Sequence, residues 1–225
     1  MFVGHYAAAV AAKTIRPVVP LWVLFVAVQL VDFAWAIFIV TGVEHARFVP
    51  GFVEASHLDL YHMPFSHSLV GALLWSVAFG ALYYVWKRGT GAFANAAIVA
   101  LAVFSHWLTD LIVHVPDLPL ISGDPKFGFG LWRDFWLSQS LEIGLLFFAV
   151  LAYVMTTTPR TAFGRFAPWI FFAFLTAVQA FTHLPPPDPA PTMPAFAAQA
   201  LAAFSVLAVL AWLTERTRER RHQSS

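Results

Sequence analysis

Histidine and aspartate recur in this chain at spacings that suit a metal ion. In SHWLTDLIVH, His106 and Asp110 stand one helical turn apart, as do Asp110 and His114, so a helix carries all three in a row on one face. An imidazole and a carboxylate at that spacing can bind one divalent ion, with bonds of roughly 2.0–2.2 Å in the case of zinc. In SHLDLYHMPFSHSLVG, His62 and His67 are five residues apart with Pro64 between them. They share no helical face, but they can converge if the loop folds back. Ser66 reads as the cap of the helix that follows, which puts His67 in its first turn, where free backbone N–H groups suit an anion such as phosphate. His5, Asp32 and Glu142 are further groups able to ligate or to move a proton. The chain has no cysteine, so His, Asp and Glu are its only strong ligand types.

The elements that must position these groups are apolar. Sixty per cent of the 225 residues are hydrophobic, 11% are charged, and mean hydropathy is +0.71, which is the composition of an integral membrane protein. The net charge of +1 argues against a nucleic-acid partner. The basic end RTRERRHQSS reads as a cytoplasmic flank. Hydropathy predicts an all-α, polytopic membrane helical bundle of one domain over 1–225. A short N-terminal half-helix at about 2–14 precedes six transmembrane spans at about 21–40, 67–86, 92–115, 135–155, 166–183 and 195–213. The apolar start lacks the basic lead and cleavage site of a signal peptide. Residues 42–66 read as a polar loop, 116–133 as a Pro/Gly-containing loop of turn character, and LPPPDPAPTMP as a stiff connector. Lys13/Arg16, Lys87/Arg88, Arg160/Arg165 and the basic end fall on alternate connections, so both termini are expected in the cytoplasm.

Counting about 1.5 Å per residue from the basic flanks puts Asp32, His106, Asp110 and Glu142 at one level, in the middle or outer part of their spans. His5, eight residues before Lys13, falls near the midplane, with the start of its helix inside the bundle. Charged groups at that depth require a partner, a proton or water, and a divalent cation would neutralise two carboxylates together. The bland readings are a protonated, hydrogen-bonded Asp32 and a Glu142 paired with histidine. His45, His57, Asp59 and His183 read as solvated or interfacial residues, and the 9 Trp and 23 Phe as membrane belt and packing.

Four pieces taken together, Gly4-His5, Asp32, HMPFSHSLVGALL from His62 to Leu74, and SHWLTD from Ser105 to Asp110, resemble the membrane-bound metal-dependent hydrolase family of bacterial inner membranes, which includes the LexA-regulated inner-membrane hydrolases. The resemblance covers roughly residues 1–115. Where that family carries a second aspartate near the first acidic position, this chain has Asp32 alone, and Met63 follows His62 where arginine is common. The resemblance implies a hydrolase of the bacterial inner membrane, distantly similar in motif to zinc phospholipases C.

The reading that results is a metal-dependent membrane hydrolase acting on a phosphoester or ester, small or lipid-linked, from the outer half of the bilayer. One or two divalent ions, zinc by ligand type, would be held by His5, Asp32, His62, His67, His106 and Asp110, with Glu142 or Asp110 moving the proton. The rival is a non-enzymatic protein using the same row of residues, either a metal or proton transporter or a haem-binding membrane protein.

Overall fold

A computed structural model describes residues 1–187 and 189–221; Asp188 and the last four residues of the basic end lie outside the described residues. The chain is mainly helical. In order it forms α1 (Val3–Ile15), α2 (Leu21–Val28), α3 (Leu30–Val40), β1 (His45–Val53), β2 (Ser56–His62), α4 (Leu69–Trp86), α5 (Ala92–Val113), β3 (Leu118–Pro119), β4 (Lys126–Phe127), α6 (Phe135–Thr156), β5 (Thr157–Pro159), α7 (Ala167–Thr182), α8 (Met193–Arg216) and β6 (Arg218–Arg220).

Helices α4, α5, α6 and α8 are each long and apolar enough to cross a membrane. Helices α2 and α3 pass the same test only as a pair, bent by 53° at Gln29, which makes a fifth crossing if the pair is one span. The remaining expected span, at about 166–183, is α7, a shorter apolar helix of 16 residues. Leu74, Val77, Leu82 and Val85 of α4 and Val206 and Val209 of α8 are exposed apolar side chains, as lipid-facing positions require.

The bend falls in a run with neither proline nor glycine. At the bend one side chain, His106 of α5, enters the backbone ladder. The Val28 carbonyl accepts a hydrogen bond from His106 Nδ1 at 2.7 Å, and the Gln29 side-chain amide donates to Asp32 Oδ2 at 2.6 Å. The break therefore turns Asp32 toward α5.

Helix α1 is the unusual element. Its Ala-rich face packs against α6 and α2, with Val3, Tyr6, Ala9 and Val10 in the main core beside Leu24, Phe25, Val99, Val103 and Leu146. Tyr6 stacks on Phe25 at 4.6 Å. A helix that begins inside a bundle needs partners for its first N–H groups. Glu142 Oε2 accepts from Phe2 N at 2.8 Å and Gly4 N at 3.3 Å, and Gln179 Oε1 accepts from Val3 N at 3.3 Å.

Residues 42–66, expected as a loop, contain the antiparallel β1–β2 hairpin, with register shifts between His45 and Arg47 and between Phe48 and Val53. One glycine of the 116–133 segment, Gly128, has a packing reason. Gly128 lies against the Val115 and His114 carbonyls with no room for a Cβ, and Phe129 N and Gly130 N donate to the Leu111 and His114 carbonyls at 2.8 and 2.7 Å. This backbone closes the end of α5.

Candidate metal centre

Four imidazoles and two carboxylates meet where α1, the α2–α3 break, the approach to α4 and the end of α5 come together. His5, His67, His106, Asp110 and His114 are all buried, whereas the Asp32 side chain keeps 19% of its surface exposed. Two groups of three have ligand atoms mutually within 4.8 Å: His5, Asp32 and His106, and His67, His106 and Asp110. Asp110 is central. Its Oδ2 lies 3.0 Å from His106 Nε2 and 3.7 Å from His67 Nε2, and its Oδ1 lies 3.2 Å from His5 Nε2 and 3.5 Å from His114 Nε2. Asp32 Oδ1 is 3.2 Å from His67 Nε2 and 3.7 Å from His106 Nε2. The Met1 amino nitrogen also reaches Asp110 Oδ1, at 2.6 Å.

The outer nitrogen of each ring defines what the inner one can do. His106 Nδ1 faces the Val28 carbonyl, which can only accept, so Nδ1 carries the proton and Nε2 a lone pair. Thr109 Oγ1 donates to the Ser105 carbonyl and takes His5 Nδ1–H at 2.9 Å. Ser66 Oγ donates to Glu44 Oε2 at 2.5 Å and takes His67 Nδ1–H at 2.7 Å. Asp117 Oδ1 takes His114 Nδ1–H at 2.9 Å. All four rings are thus anchored through Nδ1 with Nε2 turned inward, the arrangement that outer hydrogen-bond partners impose on metal-ligating histidines.

These residues fit a divalent ion. Ligand atoms about 2.1 Å from a tetrahedral ion are about 3.4 Å from one another, close to the spacings around Asp110. The Nε2 atoms of His5 and His106 are buried with no hydrogen-bond partner, which is costly unless something accepts their lone pairs. Both groups of three use His106, whose single Nε2 lone pair serves one ion. The two groups are therefore alternative ligand sets that share His106.

Local sequence explains the scaffold. Ser68, not Ser66, caps α4 by accepting from Gly71 N at 2.9 Å, so His67 precedes the helix instead of occupying its first turn. Ser66 is released to hold the ring of His67. The buried Glu44 carboxylate also accepts from Phe65 N and Ser66 N at 2.8 Å each, and Trp107 Nε1 donates to the His67 carbonyl at 3.0 Å.

His62, expected among the ligands, is not brought to this cluster. It ends β2, is exposed, and stacks on His45 at 5.6 Å, because the hairpin register pairs the two residues across its open end. Glu142 meets α1 instead of open space: its Oε2 is occupied by two backbone N–H groups, a positioning contact. Asp110 is enclosed by the rings and the Met1 amine. His57 accepts from Gly51 N at 3.2 Å and Asp59 pairs with Arg47 at 2.7 Å, both within the hairpin. His183 contacts Gln179 Nε2 at 3.1 Å, away from the centre. His114 joins the cluster, as its place in the 106–110–114 row allows. The roles of Glu44 and Asp117 had no signal in spacing, since each acts across a turn or loop, and Ser66, next to His67, read as a helix cap.

These contacts separate two substitutions close in sequence. His62→Ala should leave divalent-metal content unchanged, whereas Ser66→Ala should lower affinity roughly 10–100-fold by freeing the His67 ring. Metal titration of purified protein checks both, and equal losses would contradict the assignment.

Comparison with protein families, with curated proteins and with solved structures yields no match for this chain.

Proposed function

We propose that the protein is a metal-dependent hydrolase of the bacterial inner membrane, acting on a phosphoester or ester, small or lipid-linked. The observation that carries the reading is the set of Nε2 lone pairs converging on Asp110 and Asp32, each ring anchored from behind. A divalent ion held there, zinc by its nitrogen and carboxylate ligands, supplies Lewis acidity to a phosphoryl or acyl oxygen and acidifies a bound water. His67, His106 and Asp110 would hold the ion, with His5 beside Asp110 at 3.2 Å. Asp32 is the one cluster carboxylate with exposed surface, so substrate and water approach from its side and it is the group suited to take the proton. That role was expected of Glu142 or Asp110, whose surroundings suit them better to positioning and ligation.

The rivals are less well supported. A transport path needs polar groups beyond the centre, yet α1 toward its C-terminal end packs Ala9 and Val10 against Leu24, Val99, Val103 and Ala149, an apolar layer. Haem needs a flat slot between its axial ligands, and the rings of His5 and His106 stack at 3.8 Å with no such slot between them. Six spans with both ends in the cytoplasm, and a centre open to the outer half of the bilayer, complete the reading. Its experiment is turnover of phosphoester and acyl-ester lipids by detergent-purified protein. Activity should be abolished by a chelator, restored by zinc, and lost in His67→Ala. Turnover indifferent to chelation and to that substitution would overturn the hydrolase.

A further inference from the structure

A cavity of about 830 Å³ lies at the other end of the bundle from the histidines. It is formed where the C-terminal ends of α1, α6 and α8 meet the entry to α2, and the β5–β6 ladder closes one side by joining Thr157 to Arg220 and Pro159 to Arg218. Lys13, on its wall, is eight residues beyond His5 on α1, about 12 Å along the helix.

Six basic and two acidic side chains line this cavity. Three of those eight are committed to the fold. Lys13 donates to Glu215 and to the Pro17 carbonyl, and Glu215 Oε2 accepts from Leu21 N at 2.8 Å. Arg218 is buried, donating to Thr157 Oγ1 and to the Gly164, Val154 and Thr157 carbonyls. Arg160 is offset by Glu219 at 3.5 Å. Arg216, Arg220 and Arg221 remain, exposed and with no acidic partner among the described residues; Arg216 lies over the Trp212 ring at 4.7 Å. The wall is not uniformly polar: Trp22, Trp212 and Met155 line it too, and exposed Met155 and Trp212 continue onto the apolar outer surfaces of α6 and α8.

We propose that this cavity binds the phosphate headgroup of an anionic glycerophospholipid. Arg216, Arg220 and Arg221 face the phosphate, and an acyl chain lies along Trp212 and Met155. A small soluble anion would use the same arginines, but it gains nothing from an apolar wall that continues into the lipid-facing surface. Basic clusters at a span end are attracted to anionic leaflets, and guanidinium groups match phosphate geometry. The assignment is independent of the metal centre and of any hydrolytic activity.

The test is native mass spectrometry of the full chain in mild detergent, with phosphatidylglycerol or phosphatidylcholine of identical acyl chains. Phosphatidylglycerol should be retained in preference to phosphatidylcholine. Arg216→Gln should weaken that retention about fivefold, and Arg216→Gln with Arg220→Gln about thirtyfold, on the scale expected per basic residue at a membrane surface. Arg47→Gln, at the hairpin, should change nothing, and the single variant carries the test if the double variant does not fold. Equal retention of the two lipids, or wild-type retention by Arg216→Gln, would overturn the proposal. So would displacement of phosphatidylglycerol by millimolar inorganic phosphate, which would mark a small-anion site.

Discussion

Asp110→Ala is expected to abolish stoichiometric divalent-metal binding, with affinity at least about a hundredfold lower than wild type. The estimate is a floor, because loss of an outer hydrogen-bond partner already costs roughly 10–100-fold. Asp110 faces all four imidazoles at 3.0–3.7 Å, so its removal deletes a ligand and also the negative charge that favours a cation amid buried rings. His106→Ala should be about as damaging, since both candidate ligand sets contain it and its ring ties α5 to the Val28 carbonyl at the helix break. Elemental analysis after mild purification reads the result directly. Wild type carrying no divalent metal, or both variants keeping it, would remove the basis for the centre.

The second large effect is expected at Glu142, where two roles predict different outcomes. If its work is to hold α1, Glu142→Ala leaves the N–H groups of Phe2 and Gly4 without their acceptor, at about 1–3 kcal/mol for each buried group so exposed. The first turn of α1 should then loosen, His5 should lose its place, and metal occupancy should fall with thermal stability. Glu142→Gln retains an acceptor oxygen and should keep most of both. A proton carrier would behave otherwise: turnover would vanish in Glu142→Gln while metal and melting temperature stayed near wild type. Thermal unfolding and metal content of the two variants, measured alongside lipid turnover, distinguish the roles.

The amino-acid pattern by itself determined the apolar helices and the row His106–Asp110–His114, because both follow from periodicities of the chain that hold wherever the helix is placed. Depth counting likewise anticipated a buried His5 on α1 and a common level for Asp32, His106 and Asp110, since rise per residue is fixed by backbone geometry. Tertiary structure decided what depends on contacts between distant residues. The break at Gln29 has neither proline nor glycine to signal it, and it falls where His106 takes the Val28 carbonyl. His62 and His67, similar in a linear reading, part because the hairpin pairs one with His45 while Glu44 and Ser66 draw the other inward. Glu142 read as a proton carrier or as a partner for histidine, and only the entry of α1 into the bundle shows which N–H groups claim it. Composition and spacing report what a side chain is and how far along an element it lies. Which hydrogen-bond partner reaches it first is settled by the packing of separate elements, and that choice determines which imidazole nitrogens remain open to an ion.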